Sequence, residues 1–317
     1  MLGGIGEEPY MRTIAKLDTA LIPLLCCPLC KGVLRATPDQ FACKACASTY
    51  PLTDTRGGAI YDFRIHRPRY ATPLSLQRWS RVQSIYEKVD HAVGERDNLQ
   101  GYLDEIDAVK EIYTTEFHIS GNVLDVGGSQ GTLRHYLSDH EVPIYISVDP
   151  FLSAFDQNSQ KPNLLHAYSC LSTPLNFLSA HAESLPFVAC SFDWVHMRSV
   201  LDHLADPYLA LKEAYRVLKP DGRLMIGIAV PDRAFAMRDG GLQRVLRRIR
   251  TTGVLETLKA VAGKLGGRFL RELDDHAFRL KHEQLRDLLV KAGFRIEKEH
   301  WQKPPFTYCI YLSARKI

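Results

Sequence analysis

The sequence predicts an α/β fold built on an open sheet, preceded by a small β-rich module held together by metal. Three observations carry this. "HISGNVLDVGGSQGTLRHYL" (118–137) reads as strand, glycine-rich turn and helix. "VPIYISVDPF" (142–151) reads as a second strand and places Asp149 at its tip, eighteen residues after Gly131. "CCPLCKGVLRATPDQFACKAC" (26–46) pairs two Cys-x-x-Cys units across twelve residues.

The chain has 317 residues, enough for one large domain plus a small one. Its net charge of +4 is too weak by itself to imply nucleic acid. No apolar run of about 18 residues suggests a membrane span. "MLGGIGEEPYMRTIAKLD" has no basic region followed by an apolar stretch, so it does not read as a signal peptide. The expected compartment is the reducing cytoplasm, where clustered cysteines read as metal ligands or catalytic thiols rather than disulfides.

Cys27, Cys30, Cys43 and Cys46 have the spacing of a tetrahedral zinc site: each two-residue gap turns two thiolates toward one ion. Four protein ligands leave no open position, so the site is expected to be structural. Cys26 is a spare; Cys27 fits the gap. The competing readings are buried thiols in a β-rich module and, less simply, disulfide exchange. "STYPLTDTRGGAIYDF" (48–63) adds strand formers around a Gly-Gly turn.

Residues 64–118 read as a helical linker. Leu76, Trp79, Val82, Ile85, Tyr86 and Val89 share one face, as do Leu99, Leu103, Ile106, Val109, Ile112 and Tyr113. Two readings stand: packing against the next domain, or a lid over its site. In the core, Gly127, Gly128 and Gly131 do not fit the G-x-G-x-x-G dinucleotide fingerprint. An acid at the tip of the second strand takes the hydroxyls of a ribose. The expected ligand is therefore adenosine-like, without a pyrophosphate.

"VLDVGGSQG", "ISVDPF" and "HAESLPFVACSFDWVHMRSVLDHLADPYLALKEAYRVLKPDGRLMIGIAV" resemble successive motifs of the class I S-adenosylmethionine-dependent methyltransferases, in the ubiquinone/menaquinone-type branch. The resemblance covers about residues 119–230. It implies a Rossmann-like seven-stranded sheet and a methyltransferase activity. Asp125, Gly127 and Gly131 match the turn that wraps the methionine half of the cofactor. Gly128 and Ser129 depart from the usual pattern, and serine there narrows the allowed backbone. Asp149 matches the ribose acid. His181 stands where the family has an acid; a neutral histidine accepts only weakly from the adenine amine, and the Ala182 amide can still read adenine. Glu183 is either part of that site or a surface residue. Met197 and Arg198, with His196, close the fourth strand toward cofactor and substrate. Arg198 either steers an anionic substrate or pairs with an acid. Asp202 and His203 lie where the family often carries polar residues near the substrate. His203 is a base candidate or a packed helix-face residue, and His276 in "DDHAF" is a second base candidate.

Residues 22–63 resemble the small zinc-ribbon proteins that activate methyltransferases. The expected organisation is an N-terminal extension (1–21), a zinc ribbon (22–63), a helical linker or lid (64–118) and a methyltransferase domain (119–317) with a helical insertion at about 232–273. That insertion carries Arg244, Arg247, Arg248, Arg250, Lys259, Lys264, Arg268 and Arg271 on amphipathic helices. It reads as a cap over the pocket, as a peripheral contact with an anionic membrane, or as an RNA-binding surface. "HEQLRDLLVKAGF" reads as a helix, followed by two strands that close the sheet. The expected reaction is methyl transfer to an O or N nucleophile of a small-molecule, sugar or lipid-linked glycan acceptor. The alternatives are RNA modification and a non-catalytic scaffold or activator.

Overall fold

The computed structural model describes residues 15–55, 58–65, 80, 97–152, 161–230, 280–302 and 309–317. The helix expected over 74–89, apart from residue 80, the insertion at 232–273 and His276 lie outside the described residues.

Five strands run parallel: β5 (Asn122–Val126), β6 (Ile144–Val148), β7 (Asn176–Leu178), β8 (Phe192–Arg198) and β9 (Leu218–Ala229). Two more, β10 (Phe294–Trp301) and β11 (Cys309–Lys316), add antiparallel on the β9 side. The order is β10-β11-β9-β8-β5-β6-β7. The chain returns from β6 and β7 to pair β8 with β5, which makes a crevice at the carboxyl ends of β5, β6 and β8. β5 and β8 are buried on both faces, as their near-continuous apolar runs require.

Among the described residues four helices border the sheet: α1 (Leu99–Glu111), α2 (Pro162–Ala167), α3 (Pro207–Val217) and α4 (His282–Ala292). α1 buries Ile106 and Val109 and continues into one π-helical turn that buries Ile112 and Tyr113. Leu103, expected on the same face, is 39 % exposed. The first half of α1 packs on α2 through Leu99 and Tyr102 instead. The helix expected from Thr132 is a single 3-10 stretch, Thr132–Tyr136. The chain turns back at Ser138, whose carbonyl accepts from the amides of Glu141 and Val142.

The N-terminal module is an antiparallel meander: β1 (Leu34–Ala36), β2 (Gln40–Cys43), β3 (Thr49–Thr55) and β4 (Gly58–Tyr61). It is fused to the large sheet rather than tethered beside it. Leu21, Leu25, Phe41, Tyr50 and Phe63 belong to the same buried cluster as Leu178, Phe187 and Phe192. Leu25 pairs with Phe187, and Asp62 with Ser179, in isolated β-bridges.

One ion pair marks this junction. Lys31 Nζ lies 2.7 Å from a Glu213 carboxylate oxygen, and Arg216 holds the same carboxylate from one helical turn away. Burial pushes the Glu213 carboxyl up, but Arg216 and Lys31 outweigh it and hold it below its usual range. A depressed carboxyl stabilises the fold above its unfolded pKa, and that contribution disappears as pH falls through the folded value. Glu213→Gln is expected to cost about 2 kcal/mol at pH 7. This is less than for a fully buried pair, because Lys31 keeps a third of its side chain in solvent. Thermal melts of the two proteins should differ at pH 7 and begin to converge only as pH falls below the ordinary glutamate value of about 4.3.

Candidate functional site

A cleft of about 580 Å³, its open mouth included, lies at the tips of β5, β6 and β8. Its walls include Val126, Val148, Phe151, Val200 and Leu204, an apolar slot suited to a flat ring. Asp149, at the end of β6, lines it with its carboxylate steadied by the Phe151 amide at 2.9 Å. Ala182, Glu183 and His203 also line it. His181 is part of the wall too, and its Nδ1 accepts from the Ile65 amide at 3.4 Å.

Glu183 is 6 % exposed and accepts from the amides of Ala205 (2.9 Å) and Asp206 (3.2 Å). It is therefore no surface residue. It fixes the loop ahead of α3, which Asp206 caps through the Leu209 amide. Burial pushes its carboxyl up despite those amides. Asp202 is buried beside His203, its Oδ1 3.8 Å from His203 Nε2.

A second cavity, about 750 Å³, shares Gly127 and Ser199 with the first. The glycine turn forms one side of it. A Cβ on Gly128 would meet Asp125 Oδ2 at 2.3 Å and Ser147 Oγ at 2.7 Å, so only glycine lets the backbone cross the Asp125 carboxylate there. Ser129 sits at φ 44°, in the left-handed region, and its carbonyl accepts from Ser147 Oγ. The departure seen in the sequence is thus absorbed as local strain.

Asp125 is 2 % exposed and has both carboxylate oxygens engaged. Oδ1 lies 2.7 Å from His196 Nδ1, and Oδ2 accepts from the Tyr145 hydroxyl. His196 Nε2 lies 2.9 Å from the Tyr113 hydroxyl. Burial pushes Tyr113 and Tyr145 well above the usual phenol range. Arg198 also lines the cavity, and of its two readings the structure shows the pairing: its Nη2 lies 3.0 Å from Glu105.

Met197 is a correction. It is 1 % exposed, belongs to the hydrophobic core and lines neither cavity. Successive strand side chains alternate faces, so His196 and Arg198 point to the cavity and Met197 away. That alternation was the available signal for His196. Glu105, Tyr136 and Tyr168, which complete the cavity, carry no motif that would have found them.

The four ribbon cysteines converge, with all Sγ atoms within 4.8 Å of one another. Zinc–sulfur bonds of about 2.3 Å put tetrahedral ligands about 3.8 Å apart; Cys27–Cys46 is 3.6 Å and Cys30–Cys43 is 3.4 Å. The two turns are built alike. Lys31 N donates to Cys27 O and Cys27 N to Gly32 O, while Ala47 N donates to Cys43 O and Cys43 N to Ser48 O. Lys31 and Ala47 both adopt positive φ. A Cβ on Gly32 would lie 3.2 Å from Cys30 Sγ and 3.3 Å from Cys43 Sγ, inside the cradle. Cys26 is not in the cluster; its thiol donates to Phe187 O at 2.9 Å.

Residues 124–226 match the family described as a methyltransferase domain. The ubiquinone/menaquinone biosynthesis C-methyltransferase UbiE of Rickettsia typhi is 28 % identical over 155 residues, 46 % of this chain and 61 % of that one. The UbiE of Sinorhizobium fredii is 48 % identical over 110 residues, 33 % of this chain and 40 % of that one. The chain thus spans about three fifths or less of the length of these curated relatives. Among solved structures, magnesium protoporphyrin IX methyltransferase from Synechocystis with bound SAH (S-adenosylhomocysteine) is 18 % identical with a TM-score of 0.44. That alignment covers 77 % of this chain and 95 % of that one. The match with the methyltransferase-domain family thus spans the glycine turn, the acid at the tip of β6 and the parallel strands of the large sheet.

Proposed function

We propose that this chain transfers a methyl group from S-adenosylmethionine to an oxygen or nitrogen of a small-molecule, sugar or lipid-linked acceptor. The observation that carries the cofactor reading is Asp149, fixed at the tip of β6 in an apolar cleft and beside a glycine turn. Asp149 would hold the ribose, the Ala182 amide the adenine edge, and the turn Gly127–Gly131 the methionine half. When bound, the cofactor supplies a methyl carbon on a positively charged sulfur, already a good leaving group. The chain's task is to hold the acceptor in line and exclude water. The relatives' name, C-methyltransferase, supports carbon as the competing acceptor atom.

The four thiolates are proposed to hold one structural zinc ion, with Cys27, Cys30, Cys43 and Cys46 closing its shell. The test of the enzymatic reading uses methyl-labelled S-adenosylmethionine with the small-molecule, lipid, protein and RNA fractions of a cell extract. Label is expected in the small-molecule or lipid fraction. Label in RNA alone would overturn the acceptor class, and calorimetry showing no binding of SAH would overturn the cofactor.

A further inference from the structure

The second cavity is where the cofactor's methionine half is placed above, and that half ends in an α-ammonium and an α-carboxylate on one carbon. Each needs a partner of opposite sign in a site that excludes water. The turn Gly127–Gly131 carries no charged side chain. Asp125 is the acid beside it, but both of its oxygens are held, by His196 Nδ1 and by the Tyr145 hydroxyl. Tyr113 holds His196 in turn. This chain of bonds fixes the floor of the cavity and keeps the Asp125 carboxylate inside the wall, at 2 % exposure.

Among the described residues that line the cavity, two further charged side chains stand beside Asp125 and its histidine: Glu105 and Arg198. Arg198 Nη2 donates to Glu105 Oε1 at 3.0 Å, and the two side chains keep 31 % and 47 % of their surface in solvent. Both stand on fixed elements. Arg198 ends β8, on the face that His196 takes two residues earlier. Glu105 stands on α1, which is tied near both ends. The Asp97 carboxylate accepts from the Asn163 and Leu164 amides at 2.8 and 3.0 Å, and Gln302 Nε2 donates to Ala108 O at 3.2 Å. An acid and a base fixed side by side are the complement of an ammonium and a carboxylate fixed side by side. A zwitterion against the pair makes a ring of four alternating charges, so binding leaves no charge unmatched.

Resting on the S-adenosylmethionine reading above, we propose that Glu105 and Arg198 clamp the amino-acid end of the cofactor, Arg198 taking its carboxylate and Glu105 its ammonium. Arginine suits the first role because its planar fork can keep one N–H on Glu105 while others take the carboxylate oxygens. Glu105 has a second carboxylate oxygen to offer the ammonium. The helix ahead of the first central strand then supplies part of the cofactor site, and packing alone does not account for it. The clamp also sets specificity: it selects ligands that carry a free amino-acid end over nucleosides that merely fill the apolar slot.

The test titrates the full chain, by calorimetry, with SAH and with 5′-methylthioadenosine, which has the same nucleoside and sulfur but no amino-acid end. Wild type is expected to bind SAH at least about 100-fold more tightly than methylthioadenosine. Glu105→Gln is expected to lose about tenfold toward SAH and Arg198→Met about 30-fold, each staying within about twofold of wild type toward methylthioadenosine. Retained methylthioadenosine binding shows that the cleft is folded, and Glu105→Gln, at a half-exposed position, keeps the test decisive if Arg198→Met fails to fold. A pair that only braces α1 against β8 would, when broken, weaken both ligands alike or neither. Equal losses for the two ligands, unchanged SAH affinity in either variant, or a wild type that binds both ligands equally would each overturn the proposal. A wild type that binds neither ligand fails the cofactor reading itself, a result distinct from any of these.

Discussion

Asp149→Ala is expected to weaken SAH binding by about 100-fold or more. A carboxylate hydrogen-bonded to both hydroxyls of a ribose makes two charge-assisted bonds, each worth about 1.5–3 kcal/mol. Losing them together, with some non-additivity, corresponds to about 3 kcal/mol, and each 1.4 kcal/mol is tenfold in affinity. In the free protein the same carboxylate accepts from the Phe151 amide at 2.9 Å, so its removal also touches the fold. Calorimetric titration with SAH, beside a thermal melt, separates the two. Asp149→Asn should fall between wild type and alanine, since an amide can still bond one hydroxyl. Unchanged affinity in Asp149→Ala would remove the ribose from this position.

Removal of the ribbon metal is expected to have the largest effect on stability. Structural zinc contributes about 10–16 kcal/mol to the folding of small zinc modules. A meander of four short strands has little else to hold its cysteine turns together. The chain as prepared should contain one equivalent of zinc, and a strong chelator should lower its melting temperature by more than 10 °C. Affinity for SAH should fall with it. The ribbon's end reaches the cleft: Arg64 Nη1 donates to Pro150 O, the Ile65 amide to His181, and the Phe63 amide to Ser179 O. Pro150 and His181 line the cofactor cleft. Cys43→Ala should reproduce the chelated state, whereas Cys26→Ala, outside the cluster, should retain metal. Full SAH affinity in the metal-free protein would show that the ribbon and the cleft are energetically independent.

What the sequence made legible is what is written locally. Two Cys-x-x-Cys turns declare their geometry within four residues each, and both appear as equivalent turns. Asp149 is legible because a strand's end and an acid coincide. The glycine turn announces a close approach, although what approaches Gly128 most closely is the chain's own Asp125. Contacts between distant segments were not legible. Tyr113 reads as one member of an apolar helical stripe, and its hydroxyl acquires a partner only when β8, 83 residues away, brings His196 to it. The bond from Ile65 to His181 spans 116 residues. Glu183 read equally as site or surface because its partners are two amides beyond the next strand. Periodicity overstated the helix after Gly131, since it does not see where the chain must turn to enter β6.

The bridge between Asp62 and Ser179 has one more consequence. The large sheet has two outer strands, and they are guarded differently. β10 protects itself with a bulge between Ile296 and Lys298 and with a run of charges: Arg295, Glu297, Lys298 and Glu299. β7, Asn176–Leu178, carries no charge and no bulge. Its open side is covered by the preceding chain: Lys16 bonds to Leu175 O, the Ser179 amide to Tyr61 O, and Phe63 to Ser179 O. Stripping the metal therefore does more than loosen a pocket. It bares an uncharged strand edge ready to pair with another molecule, so the metal-free chain should self-associate through β7 before it unfolds, and the ribbon serves as the sheet's guard against aggregation.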